Sequence, residues 1–202
     1  MIPAKHFYMI RHGQSEANAS RIMAGRLDSP LTTLGRQQAT QARLVVEQLK
    51  VKPSAIIHSN LSRARETAEI INQSLRLPMT QDPEFAEMFV GEFEGRPWEE
   101  CDFFDDWADP PGGETAQGFF ERIRNAKKKT LENFDGPVLI VCHGGVFRAL
   151  WRLYGHDMPG VENCHLHEFF PAPEPKSFPW HAHVYDYDES LIRTLSKHQP
   201  AE

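Results

Sequence analysis

Short apolar runs alternate with helical periodicities along the first third of the chain. Phe7-Tyr8-Met9-Ile10 is an uninterrupted run of strand-forming residues, which predicts a buried strand leading into Arg11-His12-Gly13, with Gly13 turning the chain sharply just past His12. Thr33 is placed to cap a helix whose apolar positions Ala39, Ala42, Val46 and Leu49 recur at spacings of three and four, and which ends near Lys50 and Pro53. Ala55-Ile56-Ile57-His58-Ser59 predicts a second buried strand, followed by a helix with Leu61, Ala64, Ala68, Ile71 and Leu75 on one face. This β-α-β-α alternation favours a parallel sheet with helices on both faces.

From Pro78 to Thr115 the periodicity fails, and acids, aromatics, prolines and glycines mix. Phe85, Phe89, Phe93, Trp98, Phe103, Phe104 and Trp107 argue against disorder, so the segment reads as a functional lid containing some short helix. Thr115 then starts an amphipathic helix carrying Phe119, Ile123, Ala126, Thr130 and Phe134, with Arg122, Arg124 and the run Lys127 to Lys129 expected to face solvent. Val138-Leu139-Ile140-Val141-Cys142 is continuously apolar, as a strand buried on both faces should be, and delivers His143-Gly144-Gly145 at its carboxyl end. A helix through Ala149, Leu150 and Leu153 follows, then two strands, His165 to Phe170 and Ala182 to Tyr187, separated by the proline-rich Pro171 to Pro179; the tail from Ser196 is expected to fray. The expected fold is α/β: a three-layer sandwich with a mostly parallel central sheet flanked by helices, plus a lid insertion at about 78–115. With 202 residues, 40% of them hydrophobic, residues 1–202 are read as a single domain.

A net charge of −6 speaks against a general nucleic-acid binder but allows a small local cationic pocket. Cys101, Cys142 and Cys164 are odd in number and form no C-x-x-C pair, so neither a disulfide framework nor a zinc cluster is suggested. The chain opens without a basic segment leading into an apolar one and has no apolar run long enough to span a bilayer, so a soluble, cytoplasmic protein without membrane contact is expected. Oligomeric state is not legible.

Three predicted strands end in chemically useful groups: Arg11-His12, Ser59 with nearby Arg63, and His143. A parallel sheet gathers those ends at one edge, where ligands of open α/β sheets bind. A phosphoryl group in transfer spreads negative charge over three oxygens, and Arg11, Arg63 and His143 are suited to carry that charge without a metal or other cofactor. Arginine gives paired hydrogen bonds to phosphate and stays charged at any working pH. His12 would attack as a neutral imidazole through one nitrogen while a carbonyl holds the other as N–H, and Asn18 can add a neutral donor.

The stretch Arg11-His12-Gly13 resembles the R-H-G signature of the histidine phosphatase superfamily, the phosphoglycerate mutase-like proteins. Ser59-Asn60-Leu61-Ser62-Arg63-Ala64-Arg65-Glu66-Thr67-Ala68 looks like its S-x-x-x-R-A-x-x-T-A block, and Cys142-His143-Gly144-Gly145 is similar to its late H-G-G block; the resemblance spans about residues 6 to 170 in motif order. It implies that His12 is the phosphoryl-accepting nucleophile. Glu87, ahead of Gly91-Glu92-Phe93-Glu94-Gly95, resembles the family's proton donor, and burial in an aromatic lid would raise its pKa; Glu84, Glu92 and Glu94 are the rivals. Gly112-Gly113-Glu114-Thr115 is similar to a G-G-E-S/T element near the substrate in family phosphatases, which makes Thr115 a candidate substrate contact, along with Asn18 and with Arg21, Ala24 and Gly25 in the loop after it.

Several residues read more simply. Ser15 is a cap or turn residue, Glu16 faces water or orients the loop, and Arg65 points away from Arg63. The pairs His165/His167 and His181/His183 have ligand spacing but no matching cysteine or carboxylate, so they are packing or surface histidines and no metal is expected. The reading is a phosphatase of small phosphomonoesters acting through a phosphohistidine. The alternatives are a cofactor-dependent phosphoglycerate mutase and a non-catalytic phosphate-ester binding module. After its catalytic glutamate the mutase subfamily carries a Y-G-x-L-x-G-L-N-K-like stretch, where this chain has Met88-Phe89-Val90-Gly91-Glu92-Phe93-Glu94-Gly95, with no lysine; Arg21, Arg26 or Arg96 would have to stand in for it.

Overall fold

In the computed structural model, residues 2–101, 107–158, 160–173, 177–185 and 192–194 are described. A seven-stranded sheet among them runs in the order β3-β2-β4-β1-β5-β6-β7. The strands are β1 (Phe7–Arg11), β2 (Ala55–His58), β3 (Met79–Gln81), β4 (Val138–Cys142), β5 (Leu166–Pro171), β6 (Trp180–Tyr185) and β7 (Ile192–Thr194). The pairs β3-β2, β2-β4 and β4-β1 are parallel, and β1-β5, β5-β6 and β6-β7 are antiparallel, so β1 is where the direction changes. The helices are α1 (Glu16–Ala19), α2 (Thr33–Gln48), α3 (Ser62–Leu75), α4 (Ala116–Asn133) and α5 (Gly144–Arg152).

The period-two alternation of a strand divides the sheet residues between two cores. Phe7, Met9, Ile57, Ile140 and Cys142 pack with Phe119, Ile123 and Ala126 of α4 and Val146, Phe147 and Leu150 of α5. Tyr8, Ile10, Ile56, Leu139 and Val141 pack on the opposite face with Ala39, Ala42 and Val46 of α2 and Ala64, Ala68 and Ile71 of α3. Helices on both faces follow because strands of the centre have no polar side to leave in water.

Details differ from the sequence expectation. Thr32, not Thr33, caps α2: Thr32 is extended and its hydroxyl accepts from Gly35 N, which leaves Thr33 inside the first turn. The segment expected to form a lid opens with β3 on the sheet edge and contains 3-10 turns at Pro83–Phe85, Gly91–Phe93 and Trp98–Glu100. Its far side is bound to the loop after α1 by Met23 N to Arg96 O, Gly95 N to Met23 O and Trp98 N to Arg21 O. The late strands begin and end within two residues of expectation, and β7 has no counterpart in the sequence reading. Asp186, Tyr187, Phe103, Phe104 and the tail from Ser196 lie outside the described residues. The paired histidines are packing residues: His167 is buried beside Phe147, with Nδ1 3.0 Å from His165 O, and His183 stacks on Phe170.

The solvent-facing lysine run is corrected by Lys127, which is 1% exposed. It lies four residues beyond Ile123 and three before Thr130, on the apolar stripe of α4. Its Nζ stands 3.6 Å from the Phe7 ring centroid and 3.0 Å from Met9 Sδ, with no salt bridge among the described residues. Arg122 is also largely withdrawn from solvent, whereas Arg124, Lys128 and Lys129 are exposed as expected.

Burial holds the Lys127 ammonium well below its usual pKa. A lysine depressed in this way binds its proton more readily unfolded, so its stabilising contribution is complete above the unfolded value near 10.4 and is lost as pH falls through the folded value. Lys127→Met should therefore raise the free energy of unfolding near neutral pH by about 1–4 kcal/mol, since a flexible apolar side chain removes the cost of burying the charge. Denaturant melts at two pH values check it: the gain should shrink as pH rises towards about 10.

Candidate active site

The three parallel strands β2, β4 and β1 lie side by side and end together, which brings the residues after each of them to one edge. The ladder continues one step past the strands, with His12 N donating to Cys142 O at 3.0 Å and Ser59 N to Val141 O at 3.1 Å. His12, Ser59 and His143 are all buried there. Gly13 is required by a close approach and not by a left-handed turn: a Cβ on it would overlap the Gly35 carbonyl at the start of α2.

His12 makes two ring contacts that define its state. Nδ1 is 2.7 Å from Gly13 O, and Nε2 is 3.2 Å from Arg63 Nε. A carbonyl only accepts and a guanidinium only donates, so both contacts are satisfied by one neutral tautomer, with the hydrogen on Nδ1 and the lone pair on Nε2. Burial, then Arg63 and Arg11, hold the imidazole pKa well below its ordinary value. The result is a neutral imidazole whose Nε2 lone pair faces Arg63.

Arg63 stands in the first turn of α3 and is buried. Its Nη2 donates to Gly25 O at 2.7 Å and its Nη1 to Leu27 O at 2.9 Å, which places the loop after α1 over it. Thr67, one turn further on, accepts from Gly13 N at 3.1 Å and donates to Arg63 O at 2.7 Å, tying the loop after β1 to the helix. Arg11 Nη1 donates to Val161 O, while its Nε is buried without a partner.

His143 Nε2 lies 2.8 Å from Ser59 Oγ, its ring centroid is 5.1 Å from that of His12, and its Nδ1 is buried without a partner. Sequence reasoning made it a source of positive charge. Burial, followed by Arg63, His12 and Arg11, instead lowers its pKa well below the usual value, so with these neighbours it is a neutral hydrogen-bonding group. The positive charge of the pocket comes from Arg11 and Arg63.

Among the described acids of the segment, Glu87 is the one that reaches the strand ends. Its Oε2 accepts from Gly145 N at 3.0 Å, in the turn that follows His143, and its Oε1 from Met88 N at 2.9 Å. Glu84 and Glu92 are exposed, and Glu94 is spent on Arg26 N at 2.7 Å. A Cβ on Gly145 would overlap Glu87 Oε1, so the second glycine of the H-G-G block makes room for the carboxylate.

The candidate substrate contacts divide. Asn18 closes a capping box with Ser15, and its Oδ1 also accepts from Asn163 Nδ2, which donates to His12 O at 2.7 Å. Gly25 supplies the carbonyl that holds Arg63, and Ala24 lies beside it in the same loop. Arg21 is directed elsewhere, pairing with Glu99 at 3.1 Å beside Trp98. The Thr115 hydroxyl is spent on the α4 cap, accepting from Gly118 N at 3.1 Å. Thr67, Asn163, Glu114 and Arg122 were not anticipated in any site role. Thr67 stands in the S-x-x-x-R-A-x-x-T-A block, whereas Arg122 lies at the edge of the buried stripe of α4, where helical periodicity shows its partial burial but not its partners.

The chain matches the model of the histidine phosphatase superfamily (branch 1) over residues 7–168. It is 33% identical over 165 residues to the glucosyl-3-phosphoglycerate phosphatase of Mycolicibacterium vanbaalenii, covering 72% of each chain. It is also 33% identical over 160 residues to phosphoglycerate mutase-like protein 4 of Arabidopsis thaliana, covering 71% of this chain and 68% of that one. The crystal structure of the alpha-ribazole phosphatase from Shigella flexneri superposes with a TM-score of 0.71 at 26% identity, covering 89% of this chain and 94% of that one.

Because Gly145 makes room for Glu87, Gly145→Ala should lower kcat/KM on poor leaving groups by about tenfold to a hundredfold, the scale of a displaced acid–base group. Kinetics on alkyl phosphates, read beside thermal melts, check it. A loss of activity no larger than the loss of folded protein would show that the glycine serves packing alone.

Proposed function

The chain belongs to the histidine phosphatase superfamily, and we propose on that premise that it hydrolyses small phosphomonoesters through a phosphohistidine at His12, with Glu87 as the proton carrier. The observation that carries the residue assignment is the pair of buried, unpartnered polar atoms beside His12, Arg11 Nε and His143 Nδ1, on neighbouring strand ends. A buried polar group left unsatisfied costs about 1–3 kcal/mol, and with Ser59 Oγ–H donating to His143 Nε2 both atoms are N–H donors that the acceptor oxygens of a phosphoryl group would satisfy.

In this reading the His12 Nε2 lone pair attacks phosphorus in line, and the bond from phosphorus to the ester oxygen breaks. The leaving oxygen takes a proton from Glu87. Arg63 Nε, which holds Nε2 in the structure, moves its hydrogen bond to a phosphoryl oxygen as the nitrogen–phosphorus bond forms. Nδ1–H stays on Gly13 O, so the modified ring keeps its orientation. Water then attacks phosphorus, Glu87 takes its proton, and phosphate leaves with His12 restored. Asn18 is assigned a supporting contact to the phosphoryl group, and Arg21 and Thr115 none.

Charge at the lid favours water over a second substrate hydroxyl as acceptor. The arginines that could replace the mutase lysine are engaged: Arg21 with Glu99, Arg26 with Glu114 at 3.2 Å, and Arg96 over Phe93. We read residues 1–202 as one unit whose segment at about 78–115 covers the pocket. The three cysteines are buried and form no disulfide, as a reducing, cytoplasmic setting would leave them. No helix among the described residues is long and apolar enough to cross a membrane. The reading assigns no metal, because Arg11 and Arg63 supply the charge that a metal would.

His12→Ala should abolish acid-labile, base-stable phosphoryl labelling and lower phosphate release by on the order of 10⁴ or more, with wild-type turnover surviving chelation. Label persisting in the variant would move the nucleophile elsewhere. With phosphoglycerate, supplied with and without bisphosphoglycerate, phosphate release should outrun isomer interconversion. Isomerisation faster than release by a wide margin would make the protein a mutase.

A further inference from the structure

Glu87 stands in a stretch, residues 87–90, that has no regular secondary structure. Its main-chain groups must therefore find partners outside a helix or strand. They find them in Arg122 of the next α-helix and in Glu114, the residue just ahead of its cap. Arg122 donates through Nη1 to Ala86 O at 3.0 Å and to Glu84 O, and through Nη2 to Glu87 O at 3.4 Å. The same guanidinium grips Glu114 through Nε to Oε1 and Nη2 to Oε2, both at 2.8 Å. Glu114 in turn binds Phe89 on both sides, its N donating to Phe89 O at 2.8 Å and its Oε2 accepting from Phe89 N at 3.4 Å. A second guanidinium, Arg26, donates through Nε to Glu87 O at 3.3 Å and through Nη2 to Glu114 Oε2 at 3.2 Å.

We propose that Glu114 and Arg122, assisted by Arg26, are positioning residues that hold the main chain of Glu87 so that its carboxylate meets the strand ends. The proposal rests on Glu87 being the proton carrier. Glu114 is the hub because it alone touches both arginines and both main-chain groups of Phe89. The pair with Arg122 is the stronger arm, being paired through two short bonds with the Arg122 side chain 11% exposed, against 41% for that of Arg26. Although burial opposes it, hydrogen bonding and charge from Arg122, then charge from Arg26, hold the Glu114 carboxyl below its usual pKa, so the hub is an anion at neutral pH. Neither the Arg122 nor the Glu114 side chain hydrogen-bonds His12, Arg63 or His143; apart from the charge that Arg122 adds to those lowering the His143 pKa, their effect on chemistry passes through Glu87.

The test uses the full chain and a series of aryl and alkyl phosphates. Aryl leaving groups need little protonation, so a residue acting through Glu87 should matter far more for alkyl esters. Arg122→Lys should lose about tenfold to a hundredfold in kcat on alkyl phosphates and only a few-fold on aryl ones, because a lysine cannot reproduce the planar fork. Glu114→Gln should show the same split, and carries the comparison should Arg122→Lys fail to fold. The exposed Arg124→Ala should leave both series unchanged. Added to Glu87→Gln, either change should cost nothing further on alkyl phosphates, since the group it positions is already gone. Equal losses on both series, or losses that multiply with Glu87→Gln, would overturn the proposal. If Glu87→Gln itself shows no leaving-group split, the proton-carrier assignment falls and this proposal with it, an outcome distinguishable from failure of the positioning role alone.

Discussion

Arg63 Nε donating to His12 Nε2 at 3.2 Å, with Gly13 O holding Nδ1 at 2.7 Å, is the interaction on which the pocket depends. An imidazole exposed to water beside one cation would keep part of its proton near neutral pH. Buried beside two guanidiniums it gives that proton up, since both low polarity and like charge disfavour the charged form. The same pair of arginines that would stabilise a phosphoryl group thus adds to burial in keeping the His12 Nε2 lone pair unprotonated. Withdrawing either cation would weaken both functions together, so the two cannot be tuned separately.

The fold serves that contact by fixing its two sides on different elements. His12 comes from the end of β1 and Arg63 from the first turn of α3, and Thr67 joins the elements by bonding Gly13 N and Arg63 O. β4 lies between β1 and β2, so its end delivers His143 into the centre of the group and its following turn delivers Gly145 N to Glu87. The parallel pairing is therefore the geometric condition for the site: reversing any one of these strands would send its terminal residue to the opposite edge.

The strand ends were legible because strands buried on both faces read as unbroken apolar runs, and parallel order then predicts where their last residues meet. The R-H-G, S-x-x-x-R-A and H-G-G pieces added the roles. What stayed hidden depended on contacts distant in sequence or on depth. Arg122 reaches carbonyls 35 to 38 residues away, a separation no local pattern encodes. Protonation of His143 depends on how deeply it is buried, which composition does not reveal. Lys127 is the instructive miss: the stripe Phe119, Ile123, Ala126 and Thr130 already contained its position, and the charge of a lysine run was allowed to outweigh the periodicity.

That lysine also shows how two inward positions of α4 differ in what surrounds a charge withdrawn from water. Arg122 and Lys127 both occupy buried positions on one helix, yet only Arg122 has a carboxylate and several carbonyls to compensate its desolvation. Lys127 has the faces of Phe7 and Phe169 and the sulfur of Met9, partners that recover part of the cost of burying an ammonium group. An arginine with well-paired geometry organises a loop that has no secondary structure of its own. A lysine without a paired anion organises nothing comparable and is expected to cost stability in the core it enters. The charge that is kept in a defined network is thus the one next to the candidate acid, where the Glu84 and Ala86 carbonyls and Glu114 Oε1 take their side-chain hydrogen bonds from Arg122.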